Sequence, residues 1–387
     1  MMLKKVLVAS SFAAALAASP AAIAETGVAA DSITFGQAAA LEGPASALGT
    51  GMRLGLMAAF EEANQAGGVH GRTLDLISYD DGYEPDRSIE QVTKLIEKDG
   101  VFSLIGAVGT PTSKATQPIA TDAQVPFVGP FTGAGFLRDA SLGNIVNVRA
   151  TYAAETEAWI QHLVDERGME KVAILYQDDA FGRVGLAGVQ AALDKRSMSL
   201  VAEGTYQRNT LAVKSALLEI RKAQPDAVVM VGAYKPIAEF IKLSRKVKFD
   251  PTFVNISFVG SKALAAELGE DGEGVIISQV VPFPWDASVP LVKNYQAALK
   301  AIDPAAEPGF VTLEGYMVGR LAIEALREAG KDVTRESFLA AFANKGTFDL
   351  GGVSLTFGSD DNQGMDDVFL TTIQKDGSFK PLERPTS

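Results

Sequence analysis

The sequence predicts an α/β protein of two lobes, each a largely parallel sheet with helices on both faces. Three observations carry that reading. Apolar runs of strand length alternate with segments of helical period from residue 32 nearly to the end of the chain. The run Ala227-Val228-Val229-Met230-Val231 is apolar without a break, as in a parallel strand covered on both sides. The alternation also comes as two series, one on each side of Asn147-Val148-Arg149.

In the first series, Ser32 to Ala39 reads as a strand and Gly43-Pro44 as a loop. Met52, Leu56, Phe60 and Ala63 then recur at helical spacing. Thr73 to Tyr79 alternates at period two, as a strand does. Asp86 is placed to cap a helix that turns Ile89, Val92 and Ile96 to one face. Val101 to Gly106 reads as a strand, Ser113 to Ala123 as a helix and Pro126 to Gly129 as a strand. The second series gives strands at Val172 to Tyr176, Asp226 to Gly232 and Thr252 to Ile256. Its helices fall at Gly185 to Asp194 and Ile237 to Val247. After it come two long amphipathic helices, Val289 to Ala301 and Val311 to Ala329, then strands at Val353 to Phe357 and Asp367 to Ile373.

The N-terminus reads as a cleaved secretory leader. Lys4 and Lys5 precede an apolar run from Val6 to Ala18, followed by Pro20 and Ala22-Ile23-Ala24, so cutting is expected after about Ala24. The run falls short of the ~20 apolar residues a membrane anchor needs. The chain has no cysteine, which leaves no site for a lipid anchor behind the leader, no disulfide and no zinc-thiolate site. Among 387 residues, 47% are hydrophobic, enough for a protein of this length to hold itself together by packing. Loss of Lys4 and Lys5 with the leader takes the net charge from −12 to −14. Phosphate backbones and anionic lipid surfaces repel such a protein, so nucleic-acid partners and membrane insertion are not expected.

Ligands of open parallel sheets lie outside the carboxyl ends of the strands. The loop Gly109-Thr110-Pro111-Thr112-Ser113 sits at such an end. Its hydroxyls and helix-start N–H groups suit an oxyanion, or else Thr110 or Thr112 simply caps the helix. Phe131-Thr132-Gly133-Ala134-Gly135 follows the next strand, where glycine lets a ligand approach the backbone or merely makes a turn. Phe181, Tyr234, Phe258 and Trp285 stand near strand ends, as pocket walls or as core. Catalytic patterns are thin. There is no Gly-x-Ser-x-Gly elbow, no phosphate loop ending in Gly-Lys-Ser/Thr and no full Gly-x-Gly-x-x-Gly. The two histidines, His70 and His162, and the acid pairs Asp80-Asp81, Asp178-Asp179 and Asp360-Asp361 read as surface, turn or cap residues. No enzyme, cofactor or metal is expected. A secreted hydrolase with two opposed acids is the distant alternative.

Several segments together resemble the leucine/isoleucine/valine-binding branch of periplasmic binding proteins, which serve ATP-driven (ABC) importers. They are Gly43-Pro44, Asn64 to Gly71, Tyr79-Asp80-Asp81, Thr116-Gln117-Pro118, Gln177 to Gly182, Gly232-Ala233-Tyr234, Gly315-Tyr316 and Asp367-Val368-Phe369. Their order and spacing span nearly all of the chain after the leader. The resemblance implies the type I periplasmic binding protein fold: two Rossmann-like lobes with parallel-sheet cores and a hinge crossed three times, near Val148, Val280 and Leu355. Lobe I is then 25–148 plus 281–354, and lobe II is 149–280 plus 355–387, behind the 1–24 leader. It implies a monomeric periplasmic protein that closes on a small molecule and presents it to an inner-membrane ABC permease. Signalling to a membrane receptor or kinase is the alternative.

Carried over residue by residue, the resemblance makes Thr110, Thr112 and Ser113 the holders of a ligand carboxylate. Thr132 and Gly133 become backbone contacts. Phe181, Tyr234 and Phe258 become walls, and Ser257 a polar contact from the second lobe. Two positions depart from amino-acid binders. The acid that pairs with a ligand ammonium should fall near Ser257, where Ile256-Ser257-Phe258-Val259-Gly260 has none, and a first-lobe tyrosine is replaced by Leu48. An ammonium buried without a charge partner is costly. Unless Glu42 or Asp179 supplies that charge, a carboxylate or amide with an apolar or aromatic body is the expected ligand.

Overall fold

The computed structural model describes residues 25–382; the leader expected at 1–24 lies outside the described residues. The first lobe opens with β1 (Ser32–Ala39), α1 (Ser46–Gln65) and β2 (Thr73–Asp80). It continues through α2 (Pro85–Glu97), β3 (Ser103–Ile105), α3 (Thr110–Asp122), β4 (Phe127–Val128) and β5 (Ile145–Val146). These strands form one parallel sheet in the order β2-β1-β3-β4-β5, with β1 and β2 in step from Ser32↔Thr73 to Ala39↔Asp80.

The chain then enters a second sheet by way of α4 (Tyr152–Ile160), β6 (Val172–Gln177), α5 (Ala180–Asp194) and β7 (Ala202–Tyr206). Next come α6 (Lys214–Lys222), β8 (Ala227–Val231), α7 (Tyr234–Lys246), β9 (Thr252–Asn255), α8 (Ser261–Leu268) and β10 (Ile276–Gln279). It returns to the first lobe with α9 (Pro290–Ile302) and α10 (Phe310–Ala329), which pack on α1. Helix α11 (Arg335–Lys345) and a hairpin of β11 (Thr347–Asp349) and β12 (Ser354–Thr356) follow. Strands β13 (Phe369–Ile373) and β14 (Phe379–Pro381) close the second sheet, whose order is β14-β13-β10-β9-β8-β6-β7. Only β13 runs against the others, antiparallel to both β10 and β14. The interior strand β8 is buried at every position, as its unbroken apolar run predicts.

The chain passes between the sheets three times, at 147–151, 280–289 and 357–368. The first and third passages are tied together. Asn147 N–H donates to the Asn362 carbonyl at 2.8 Å, and Gly364 N–H donates to the Asn147 carbonyl at 2.9 Å. Local readings needed adjustment at two points. Asp86 does not cap α2, because Pro85 already occupies the first turn and Glu84 is the cap residue; Asp86 instead sits where the helix dipole favours an acid. The buried stripe of α2 is Ser88, Val92 and Leu95, while Ile89 is left 38% exposed.

The first lobe is held most closely where α1 crosses α10. Gly55 and Gly315 let the two backbones meet: a Cβ at Gly55 would strike the Thr312 carbonyl, and one at Gly315 would strike that of Met52. Gly55→Ala should therefore lower stability by about 1–3 kcal/mol, seen as a lower thermal midpoint. Gly143→Ala, with open space around it, should leave the midpoint unchanged. Equal midpoints for the two variants would show that the crossing tolerates separation.

Candidate functional site

The expected ligand loops meet between the lobes, and all of their side chains are buried. Helix α3 starts at Gly109, whose φ of +106° and close fit under the Tyr83 ring exclude a side chain. The Thr110 and Thr132 hydroxyls are hydrogen-bonded to each other at 2.7 Å, joining the α3 start to the loop after β4. Thr112 does not face the cleft chemically: its hydroxyl donates back to the Val108 and Gly109 carbonyls at 2.5 and 2.9 Å. Neither threonine caps α3 through its side chain. Ser113 is different, since its Oγ is buried and has no partner among the described residues. The Thr132 carbonyl accepts from Arg138 at 2.9 Å and the Gly133 carbonyl accepts from Tyr152 N–H at 2.8 Å, so both are already engaged.

The second lobe closes over this surface. Phe258 meets Phe181 at 4.7 Å and reaches across to the first-lobe rings of Phe131 at 5.3 Å and Tyr83 at 5.8 Å. The Tyr234 hydroxyl accepts from Ala47 N–H at 3.4 Å, and Gly260 packs on Leu48. Gln177 Nε2 donates to the Tyr83 hydroxyl at 3.3 Å, and Arg208 bridges Glu84 at 2.7 Å and Asp179 at 2.9 Å. At the opposite rim Lys262 pairs with Glu307 at 2.5 Å. Trp285 takes no part; it is 38% exposed and belongs to a separate aromatic group with Phe283, Phe310 and Phe379. Beside the closed centre, a groove of about 870 Å³ runs between α3 and α5, lined by Thr110, Phe136, Ala153, Ala180, Val184 and Ala187 among others.

Four charges lie at the centre of this closure, and the sequence reading missed all of them. Arg149, on the first passage between lobes, is 1% exposed and lies over the Phe131 ring at 4.4 Å. Its Nη2 donates to Ser257 Oγ at 2.9 Å and to Glu314 Oε2 at 3.1 Å, while Nε faces Glu314 Oε1 at 2.9 Å as an ion pair without hydrogen-bond alignment. Arg149 Nη1 has no partner among the described residues. Arg138 donates to the carbonyls of Thr132, Ala134 and Arg149. The acid not found in sequence near Ser257 arrives from α4. Glu155 accepts from Ser257 N–H at 2.9 Å, from Ser257 Oγ at 2.8 Å and from Ser278 Oγ. Its oxygens are therefore spent inside the second lobe.

A signal for these groups was present. Glu314 is an acid inside an apolar helix face, between Leu313 and Met317, and Arg149 is a lone base at the boundary of the two series. Tyr152 completes the set. Its ring packs on Phe181 at 5.4 Å and against Gly133, and its hydroxyl lies beside Thr132 without a hydrogen bond of good geometry. Two buried groups thus lie against the 131–133 loop with donors to spare, Tyr152 Oη and Arg149 Nη1, and Ser113 Oγ near the start of α3 is a third buried hydroxyl left open. The other candidates are locally satisfied. His70 contacts the Leu326 carbonyl, His162 pairs with Glu166 at 2.7 Å, and Asp81 accepts from Tyr83 N–H and Ser88. Glu42 is exposed and Asp179 caps α5, so neither offers a free acceptor to the cleft. Among the described residues no cluster of three metal-binding side chains occurs, and no helix is long and apolar enough to cross a membrane.

Burial pushes Glu314 up to about 7, outweighing the pull of Arg149 and reinforced by Glu155, which burial also raises. The folded protein then holds a proton that the unfolded chain, with this acid at its ordinary 4.5, releases. Stability from this group falls as pH rises from about 4.5 to 7, with a slope of up to about 1.4 kcal/mol per pH unit. In denaturant titrations at pH 5, 6, 7 and 8, the stability of wild type relative to Glu314→Gln should decline up to pH 7 and then level. A constant difference at every pH would contradict the raised value.

Comparison with known proteins agrees with this architecture. Residues 32–378 match the family model described as Periplasmic binding protein. The chain is 22% identical over 319 residues to the leucine-, isoleucine-, valine-, threonine- and alanine-binding protein of Pseudomonas aeruginosa, covering 80% of this chain and 82% of that one. A possible leucine/isoleucine/valine-binding protein from Rhodopirellula baltica has a similar structure, with TM-score 0.87 and 38% identity, over 92% of this chain and 97% of its own. A fatty acid ABC transporter substrate-binding protein from Thermomonospora curvata superposes with TM-score 0.85 at 21% identity, over 93% of each chain. The family consists of substrate-binding proteins rather than enzymes. The two-lobed fold, the three passages and the matched sequence together make this chain a member of the periplasmic binding protein family.

Proposed function

We propose that this protein is the substrate-binding component of an ABC importer, which captures one small organic solute between its lobes and hands it to an inner-membrane permease. The observation that carries the reading is the set of unpartnered donors at Ser113, Tyr152 and Arg149, all buried where the lobes meet. Buried polar atoms are nearly always satisfied, so three left open at one junction point to a bound molecule that supplies the acceptors. The solute offers a carboxylate or carbonyl to these donors and an apolar body to Phe131, Phe181 and Phe258. Thr110, Thr132 and Gly133 shape the floor, Tyr234 latches the rim, and Ser257 orients Arg149. Relatives named for amino acids and for fatty acids are consistent with a carboxylate end common to both.

The reading also accounts for the acids in the cleft. Opposed carboxylates poised for hydrolysis need free oxygens, whereas those of Glu155 and Glu314 are held by Ser257, Ser278 and Arg149. A ligand closes the lobes only through its preference for the closed form. Contacts spanning both lobes, such as Arg149 on Glu314 and Phe258 on Phe131, are where that preference arises.

Purified protein screened against amino acids, amides, aliphatic acids and aromatic acids should gain about 2.7 kcal/mol of stability at 100 times the dissociation constant of a true ligand. Calorimetry should then give one site per chain with the solute recovered unchanged. Turnover of the solute, or no response from any of these classes, would contradict the proposal. Tyr152→Phe should bind the same solute about 10- to 100-fold more weakly, the worth of one hydrogen bond to a charged group. It should not lower the midpoint of the ligand-free protein, because the hydroxyl it removes has no partner there. A lowered midpoint with unchanged affinity would make Tyr152 a structural residue.

A further inference from the structure

The charges around the cleft constrain the ligand more narrowly than the fold does. Every carboxylate near the unpartnered donors is already consumed. Glu314 is held by Arg149, Glu155 by two serines, and Asp179 by Phe181 N–H, Gln177 and Arg208. Among the described residues the open valences around the junction are those of the Arg149 guanidinium, Arg208 Nε and the Ser113 and Tyr152 hydroxyls, and the open acceptor on the first passage, Asn147 Oδ1, is an uncharged amide oxygen. A guanidinium only donates, so it demands an acceptor and repels a cation. We infer that Arg149 sets the specificity of the cleft, which takes monocarboxylates with an apolar body and rejects α-amino acids, because their ammonium finds no free acidic partner there.

The placement of Arg149 suits that task. It leaves the first inter-lobe passage three residues before Tyr152, and both reach the 131–133 loop, Arg149 over the Phe131 ring and the Tyr152 ring against Gly133. Glu314 fixes the guanidinium from α10 and Ser257 fixes it from the second lobe, which leaves one edge to turn toward the ligand. Arg138 and Arg149 face Glu155 and Glu314, and these are the charged groups packed around Glu314. Burial raises both acids, so the balance of the cluster leans toward positive charge, which favours an anionic ligand.

This inference rests on the binding-protein reading and is tested apart from it by matched pairs: 3-phenylpropanoate against phenylalanine, 4-methylpentanoate against leucine, and 3-phenylpropanamide as the neutral form. In calorimetry with wild type, at least one acid should bind on the order of 100-fold or more tightly than its amino-acid partner, and more tightly than the amide. The double variant Arg149→Met/Glu314→Gln removes both charges of the buried pair together and so avoids stranding one of them. It should lose the advantage of acid over amide while keeping the two-lobed fold by circular dichroism. If it fails to fold, Arg149→Lys, which keeps the charge and loses the fork, should narrow the same ratio at least tenfold. Amino acids binding as tightly as their deamino partners would overturn the inference and leave the binding-protein reading standing. Silence from the whole set of acids would overturn the inference as well, and binding of solutes outside this panel would then decide the broader reading separately.

Discussion

The ion pair of Arg149 with Glu314 is the interaction on which the rest of the site depends. It joins the first passage between the lobes to α10 in the first lobe, and Ser257 ties the same guanidinium to the second. Removing one partner of a buried pair typically costs about 3–5 kcal/mol, because the other charge is stranded away from water. The pair therefore commits this junction to one geometry. Arg138 supports it from below, by donating to the carbonyl of Arg149 itself and to Gln363 on the third passage. Two of the three chain passages are thus fastened around the proposed ligand site.

Around that centre the closure is graded from rigid to loose. The aromatic contacts of Phe258 with Phe131 and Tyr83 are dry, and they fix the distance between the lobes. The rim contacts, Arg208 with Glu84 and Lys262 with Glu307, are partly or largely exposed, and pairs of that kind are worth little individually. The rim can therefore open at small cost, while the centre rewards closure only when its donors are met. This division is what a protein that must both capture and release its cargo requires.

Much of the architecture was legible in the chain. Strand β1 and the unbroken apolar β8 could be placed to within a residue, because a buried parallel strand has no polar face to confuse the pattern. Helix α4 was missed since both sides of Tyr152–Ile160 are covered, leaving no amphipathic stripe. Strand β4 was read at Pro126 to Gly129, whereas β5, two residues long, lies below what periodicity can register. At the site, glycine and hydroxyl chemistry next to strand ends singled out the loops at Gly109 to Ser113 and at Thr132-Gly133 as the place for a ligand. The partners of those hydroxyls were not legible: Thr110, Thr112 and Thr132 turn theirs inward to one another or to backbone, and Ser113 keeps one open. The charged centre could not be read locally. Arg149 meets Glu314 across 165 residues and Ser257 across 108, and such encounters are made by topology. The segment around Ser257 has no acid of its own, and the carboxylate that reaches Ser257, that of Glu155, comes from another helix and could not be read locally either.

Capture at the proposed site requires ligand-dependent closure of the two lobes, and a distance between them measures that closure directly. The chain has no cysteine, so Lys114→Cys on α3 and Arg183→Cys on α5, both exposed and facing each other across the groove, accept spin labels without competition. Pulsed electron resonance should give a broad distance distribution without solute and a shorter, narrower one at saturation with the solute that raises the thermal midpoint. A distribution that is unchanged or lengthened at saturation would contradict capture by closure around Arg149.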